Sequence, residues 1–224
     1  MTRETVVYVH GLWSSKADSL LLRRRLSREF HFDVRTFDYP TISRSMAEIT
    51  ARLAQFIEAL RPRSLHLIGH SLGGLVIYRF LERFPDQPPG RVVFLGTPAL
   101  GCHAAVGVAR LRWGAAILGK CVAEELLVER DRRWTSPRAL GIIAGTQPLG
   151  LGQLFARLPG DSDGTIAVSE TRLPGATDHI TVRASHMGLL LSLRTARETG
   201  RFLRDGYFAL SRPPSTSFSS ARSS

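Results

Sequence analysis

Short apolar runs alternate with longer amphipathic stretches over most of this 224-residue chain. The runs are bounded by polar or turn-forming residues, as buried strands usually are. The predicted strands are 5–9, 32–37, 64–68, 91–95, 140–144 and 180–182. Between them, apolar residues recur every three to four positions, which predicts helices. This alternation indicates an α/β fold with a mostly parallel central sheet and helices on both of its faces.

Capping and breaking residues predict where several helices begin and end. Ser43 or Ser45 would cap the second helix, and Pro85 ends the third. The last helix is predicted over about 187–199, with Gly200 as its C-terminal cap.

The segment from Cys102 to about Pro137 interrupts the regular alternation. It is helical in character, but it carries glycines in its first part and a charged cluster near its end. We interpret it as a short helical insertion that covers one end of the sheet. No shift in composition marks a second domain, so residues 1–212 are predicted to form one domain. The Ser-rich tail at 213–224 is predicted to be disordered.

Charge and cysteine content narrow the functional class. The chain has 30 Lys and Arg against 19 Asp and Glu, which gives a net charge of +11. It lacks a recognisable nucleic-acid-binding module and a basic face with interleaved aromatic residues, so we expect no nucleic-acid partner. Cys102 and Cys121 are the only cysteines. They imply no disulfide framework, and whether they pair is left open.

The N-terminal residues bear on localisation. The first predicted strand begins at Thr5, which leaves no room for the charged start and apolar core of a signal peptide. No uncharged apolar stretch reaches the length of a membrane span. We therefore expect a soluble cytoplasmic protein. No acidic cluster suggests a calcium site, and we expect neither a metal nor a cofactor.

The candidate chemistry centres on the hexapeptide Gly-His-Ser-Leu-Gly-Gly at 69–74. A predicted strand precedes it and a predicted helix follows it, which is the context of a nucleophile elbow. Ser71 would sit on a strained turn, where glycines let the strand and the helix approach closely. The N–H of Leu72, at the start of the helix, would point towards a developing oxyanion. Ser71 is therefore the predicted nucleophile.

A serine nucleophile needs a histidine base that is oriented by a carboxylate. Catalytic groups of a parallel sheet gather at the carboxyl ends of the strands, which excludes Asp178 and His179 at the start of the last strand. His186 lies just past the end of that strand and is the predicted base. His70 is next to the nucleophile, but we expect an elbow to direct the side chains of its neighbours elsewhere.

Two carboxylates compete for the role of the orienting acid. Asp161 and Asp163 both lie in a turn after the penultimate strand. Gly164 suits a sharp turn that presents the side chain of Asp163. Either aspartate could instead cap the turn, so the residues alone leave both open.

Five motifs occur in order along the chain. They are VHGL at 9–12, GHSLGG at 69–74, GTP at 96–98, DGTI at 163–166 and SHMGLL at 185–190. Together they resemble the bacterial lipases and esterases of the α/β-hydrolase superfamily, particularly the compact His-Gly-type lipases. The resemblance spans about 5–193 and implies the α/β-hydrolase fold. It also implies that Asp163 is the acid, that His186 is the base, and that Leu12 supplies the second oxyanion N–H.

This resemblance implies a serine hydrolase, an esterase or a lipase, that cleaves carboxylic esters through an acyl-enzyme intermediate. The substrate would be a small-molecule or lipid ester, and Trp13 and Trp113 are candidates for lining its pocket. Two alternatives stay open. One is a non-catalytic binding protein of the same fold, and the other is the same triad acting on amides or thioesters or as an acyltransferase.

Arginines of the first and last predicted helices supply part of the net charge. They are Arg23, Arg24, Arg25, Arg28, Arg194, Arg197, Arg201 and Arg204. The last four recur at helical spacing and share one face. The resemblance implies that both helices pack on the same side of the sheet, so these arginines would form one basic surface. Such a surface predicts peripheral contact with an anionic membrane, and the alternative is a solvated arginine-rich face.

Overall fold

The computed structural model describes residues 3–15, 17–109, 114–126, 131–149, 158 and 160–211. Within these residues, six strands form one sheet: β1 (Thr5–Val9), β2 (Asp33–Phe37), β3 (Leu65–His70), β4 (Val92–Leu95), β5 (Leu140–Gly145) and β6 (Asp178–Val182). All neighbouring strands are parallel, and they lie in the order β2-β1-β3-β4-β5-β6. The predicted α/β fold with a parallel central sheet is confirmed.

Helices cover both faces of this sheet. They are α1 (Leu20–Phe30), α2 (Met46–Leu60), α3 (Leu72–Arg83), α4 (His103–Ala109), α5 (Gly114–Glu125), α6 (Gly188–Leu191) and α7 (Leu193–Asp205). Ser45, and not Ser43, caps α2. The Ser45 side chain accepts the Glu48 N–H, and the Glu48 carboxylate accepts the Ser45 N–H in return.

Alternate residues of β1 show how the two layers are built. Val7 and Val9 pack in the cluster formed with α2, α3 and the insertion. Val6 and Tyr8 pack in the opposite cluster, formed with α1, α6 and α7. All four side chains are fully buried, as expected of a strand covered on both faces.

The C-terminal helical segment differs from the single helix predicted over about 187–199. Ser192 separates α6 from α7, and its Oγ accepts the Thr195 N–H to cap α7. The helix then continues to a left-handed cap at Gly206, where φ is 89°. Gly200 is therefore not a cap. It lies inside α7, where the Phe30 ring packs against it. Only glycine fits there, because an added Cβ would lie 2.3 Å from Phe30 Cε2.

The described part of the insertion is residues 102–109, 114–126 and 131–137, which include α4 and α5. Cys102 and Cys121 both lie in it as free, buried thiols. Burial raises the pKa of each thiol to about 12, so both are unreactive at neutral pH. Among the helices in the described ranges, none has the length and apolar content needed to cross a membrane. The tail at 213–224 lies outside the described residues.

Candidate active site

Ser71 is the single residue between β3 and α3. Its backbone is held at φ 53° and ψ −124°, and its N–H donates to the Leu95 carbonyl at 2.9 Å. A Cβ added at Gly69 would lie 2.4 Å from the Cα of Gly74, and one added at Gly73 would lie 2.1 Å from the Val9 carbonyl oxygen. The turn therefore requires glycine two residues on either side of Ser71. The strand and the helix thus meet as tightly as a nucleophile elbow demands, with the Ser71 side chain partly exposed.

His186 is paired with the carboxylate of Asp163. The distance from His186 Nδ1 to Asp163 Oδ2 is 2.6 Å, and the His186 N–H donates to the Asp163 carbonyl at 2.9 Å. Asp163 Oδ1 accepts the N–H groups of Thr165 and Ile166, at 2.9 and 2.7 Å. The carboxylate is 1% exposed, so its orientation is set entirely by these donors.

The two candidate aspartates are used differently. Asp161 is exposed, and its backbone carbonyl accepts the Val168 N–H at 2.8 Å. Of the two side chains, that of Asp163 is the one bonded to His186.

Gly96 connects this pair to the elbow. It directly follows Leu95, whose carbonyl accepts the Ser71 N–H. A Cβ at Gly96 would lie 3.0 Å from Asp163 Oδ2 and 3.2 Å from His186 Nδ1. The three predicted triad residues are therefore gathered around the carboxyl end of β4, although they come from segments far apart in the sequence.

The expectation that the elbow directs neighbouring side chains elsewhere is wrong for His70. Its ring lies against the His186 ring, with a centroid distance of 4.7 Å. His70 Nε2 is 3.1 Å from the His186 carbonyl oxygen, and because a carbonyl only accepts, Nε2 carries the proton. Burial, aided by the neighbouring His186, lowers the pKa of His70 to about 3, so this imidazole is neutral.

A sequence signal for this contact exists in the two-residue period of β3. Ile68 packs in the cluster with α1, α6 and α7, and His70 lies two residues further along the strand, on the same face. This is the face on which the segment after β6 returns with His186. The strand simply extends to His70, two residues beyond its predicted end at 68.

The loop after β1 lies beside the elbow. Val9 pairs with Gly69, which places the following residues next to Ser71. A Cβ added at Gly11 would lie 2.9 Å from the Ser71 Cβ. The predicted oxyanion donors, the N–H groups of Leu12 and Leu72, therefore belong to two backbone segments that meet at Ser71. Leu72 is the first residue of α3, where N–H groups have no partner within the helix.

Buried aromatic and polar contacts hold this loop in place. His10 stacks on Tyr39 with a centroid distance of 4.5 Å, and His10 Nε2 lies 3.1 Å from Asp38 Oδ1. The Tyr39 hydroxyl donates to the His10 carbonyl at 2.7 Å. Tyr39 carries no local sequence signal for this role, because it follows a different strand, β2.

The two tryptophans proposed for the pocket have separate outcomes. Trp13 follows Leu12 and is 60% exposed, so it lies on the rim of the site. Trp113 lies outside the described residues. No group of three or more His, Cys, Asp or Glu in the described ranges is arranged to hold a metal ion.

Comparison with known proteins agrees with this architecture. The model of the alpha/beta hydrolase family matches residues 6–215. The chain belongs to the alpha/beta hydrolase family. The α/β-hydrolase fold implied by the five sequence motifs is thus confirmed, and hydrolase membership with it. No curated protein sequence matches the chain.

Solved structures of several hydrolases share the fold. The mature Bacillus licheniformis lipase BlEst2 is 22% identical with a TM-score of 0.68, covering 90% of this chain and 91% of its own. The meta-cleavage product hydrolase CumD of Pseudomonas fluorescens is 16% identical with a TM-score of 0.64, covering 91% of both chains. The RedJ thioesterase of Streptomyces coelicolor is 14% identical with a TM-score of 0.59, covering 89% of both. Because these proteins differ in their named activities, the shared fold leaves the substrate class open.

Proposed function

We propose that this alpha/beta hydrolase cleaves carboxylic esters through an acyl-enzyme intermediate. The observation that carries the proposal is the 2.6 Å hydrogen bond between His186 and the buried Asp163, placed beside Ser71 on its strained turn. An imidazole whose Nδ1–H is held by a carboxylate has Nε2 free to take a proton from a serine hydroxyl.

The reaction follows from these positions. His186 Nε2 removes the proton from Ser71 Oγ as the oxygen attacks the ester carbonyl. The N–H groups of Leu72 and Leu12 donate to the tetrahedral oxyanion. His186 then gives its proton to the leaving alcohol, and water attacks the acyl-enzyme by the same steps. Asp163 keeps the proton on Nδ1 and stabilises the imidazolium that forms in each half-reaction.

The geometry supports catalysis over a purely binding role. Ser71 is held at a positive φ, which costs free energy in a non-glycine residue and is typical of functional sites. The buried Asp163 carboxylate has three hydrogen-bond donors, an arrangement that ligand binding alone does not require. The likeness to the BlEst2 lipase supports an ester substrate. The likeness to the RedJ thioesterase makes a thioester the second candidate, because the same acyl-enzyme chemistry serves both.

A fluorophosphonate probe tests the nucleophile. The wild-type protein should be labelled at Ser71, and Ser71→Ala should abolish labelling while its circular dichroism and melting temperature stay unchanged. Hydrolysis of a soluble ester should fall on the order of a millionfold, as in other triad knockouts. Ser43→Ala, which alters an exposed serine, is the matched control and should be labelled normally. Undiminished labelling of Ser71→Ala would rule out this nucleophile.

A substrate panel tests the leaving group. Esters and thioesters with matched acyl chains, graded by length and offered both in solution and as emulsions, should show higher kcat/KM for the esters. A reproducible preference for the thioester at every chain length would select the second candidate.

A further inference from the structure

Twelve large apolar side chains of the described residues are exposed, and six of them lie next to Leu12 or His186 or at the neighbouring ends of α1, α6 and α7. These six are Trp13 (60% exposed), Leu20 (40%), Leu21 (42%), Met187 (44%), Leu191 (54%) and Leu193 (42%), and we call them the apolar rim. Met187 directly follows His186, and Trp13 directly follows Leu12. The other four lie where α1 and α7 begin and where α6 ends, at the carboxyl edge of the sheet. The Arg25 guanidinium of α1 donates to the Leu191 carbonyl at 2.6 Å, so the end of α6 lies against α1.

Arginines occur along the whole length of α1 and α7, the two helices that begin at this rim. The two helices carry eight arginines and three acidic residues. They pack side by side on one face of the sheet, as the sequence analysis predicted, with Leu22 and Leu26 of α1 and Phe202 and Leu203 of α7 in one buried cluster.

Several of the predicted surface arginines are paired with groups of the protein itself. Arg197 pairs with Glu29 at 3.3 Å, and Arg201 pairs with Glu198 at 3.7 Å. Arg204 donates to the Phe30 carbonyl and lies over the Phe30 ring. These contacts join α1 to α7 or lie along α7, and they reduce the basic surface that sequence alone predicted.

Three exposed arginines of these helices form no ion pair within the described residues. Arg24, Arg28 and Arg194 are exposed, and across the described part of the chain no carboxylate lies within ion-pair distance of them. Arg24 and Arg28 share one face of α1 with Leu20, since they are spaced four residues apart. Arg194 neighbours Leu193 at the start of α7. Exposed cationic side chains thus lie next to the apolar rim at the start of α7 and extend from it along α1.

We propose that this surface docks the protein on an anionic lipid membrane, with the mouth of the candidate site facing the bilayer. Apolar side chains can enter the boundary between head groups and acyl chains, while arginines remain at the level of the lipid phosphates. An acidic protein would satisfy the arginines but leave most of the apolar rim in water, which favours the lipid. Docking itself depends on the surface alone, and only the delivery of an ester from the membrane rests on the proposed function.

Vesicle sedimentation tests the docking. The wild-type protein should sediment with vesicles of phosphatidylcholine and phosphatidylglycerol at low salt, and raising the salt should release it. It should bind much more weakly to vesicles of phosphatidylcholine alone. Equal binding to both compositions, or no binding to the anionic vesicles at low salt, would overturn the proposal.

Two variants separate the components of the surface. Replacing Arg24, Arg28 and Arg194 by Gln should weaken partitioning about a hundredfold, because each arginine contributes roughly a factor of five near an anionic surface. Leu21→Glu combined with Leu191→Glu should also abolish binding. If this second variant binds like the wild type, only charge is involved, which would indicate an acidic macromolecule and not a membrane.

A matched control carries the same loss of charge on the opposite side of the sheet. Arg52, Arg61 and Arg63 lie in and after α2, are exposed, and would be replaced by Gln. This control should bind vesicles like the wild type, and a loss equal to that of the Arg24, Arg28 and Arg194 variant would contradict a specific surface. Hydrolysis of a soluble ester, measured on every variant, should stay unchanged. Vesicle binding then reports on docking, and hydrolysis of the soluble ester reports separately on the proposed function.

Discussion

At the scale of single residues, the Asp163 carboxylate has both oxygens occupied by donors. Oδ2 faces His186, and Oδ1 accepts the amides of Thr165 and Ile166. Asp163→Asn would place an amide NH₂ group among these donors or offer a single neutral oxygen to His186. The imidazole would then lose the tautomer that catalysis needs. We expect kcat on a soluble ester to fall about ten-thousandfold, with the fold retained.

Asp161→Asn is the matched control for that prediction. The Asp161 side chain is exposed, so the variant should keep near wild-type kcat. If Asp161→Asn were the crippled variant and Asp163→Asn active, the acid role would belong to Asp161.

The buried His70 predicts how the free energy of unfolding depends on pH. Burial holds its pKa at about 3 in the folded protein, against an ordinary value of 6.5. Between these values the unfolded chain binds a proton that the folded protein does not. The free energy of unfolding should therefore fall as pH drops from 6.5 towards 3, by up to about 1.4 kcal/mol per pH unit from this residue alone.

Urea unfolding of the wild type and of His70→Asn at several pH values measures this contribution. The variant should be less stable at pH 7, because it loses the ring packing and the hydrogen bond to His186. Its stability should depend less on pH below 6.5, so the two curves converge on acidification. Parallel curves would show that His70 is not the group that titrates.

At the scale of elements, the contact between α1 and α7 depends on Gly200. Ala normally stabilises a helix interior by about 1 kcal/mol relative to Gly. At Gly200, however, a Cβ would lie 2.3 Å from the Phe30 ring, which leaves no room for it. Gly200→Ala should therefore lower the free energy of unfolding by about 1–3 kcal/mol, as overpacking does.

A second substitution checks that mechanism. In a Phe30→Ala background the obstructing ring is absent, so Gly200→Ala should become neutral or stabilising in urea unfolding. An equal loss of stability in both backgrounds would mean that the Phe30 contact is not the cause.

At the scale of the whole molecule, a buried ionic network fastens the insertion to the sheet. Glu125 of α5 accepts from Arg79 of α3 and from Arg132, each at 2.9 Å. Arg132 also donates to the Ala99 carbonyl, in the loop after β4, at 2.9 Å. Glu125 and Arg132 are 3% and 2% exposed, so neither can rely on water for solvation.

Removing the carboxylate should leave a buried charge without its partner. We expect Glu125→Gln to lower the free energy of unfolding by about 3–5 kcal/mol in urea denaturation. Glu82→Gln removes the half-exposed partner of the same Arg79, 2.7 Å away, and should cost less than about 1 kcal/mol. Similar losses of unfolding free energy for the two variants would show that burial of the network adds nothing to stability.

The sequence by itself determined the features that depend on neighbouring residues. Apolar runs and helical periodicity predicted the parallel sheet and its two helical layers, because burial on both faces leaves a local pattern. The turn at Ser71 was equally visible, since Gly69 and Gly73 lie two residues on either side of it and only glycines permit so close an approach of the neighbouring backbones. The placement of His186 at the end of β6 followed from the same local reasoning, whereas the choice of Ser45 over Ser43 as the cap of α2 did not.

Tertiary structure alone decided which faces of distant elements meet. It brought Asp163 and not Asp161 into contact with His186, and it turned the His70 ring onto the His186 ring. It also placed Gly200 against Phe30 inside a helix, where the local pattern had suggested a cap. The physical reason is common to all three. A residue's neighbours along the chain set its backbone conformation and the face it occupies, whereas its partner is set by the packing of segments that local patterns cannot position relative to each other.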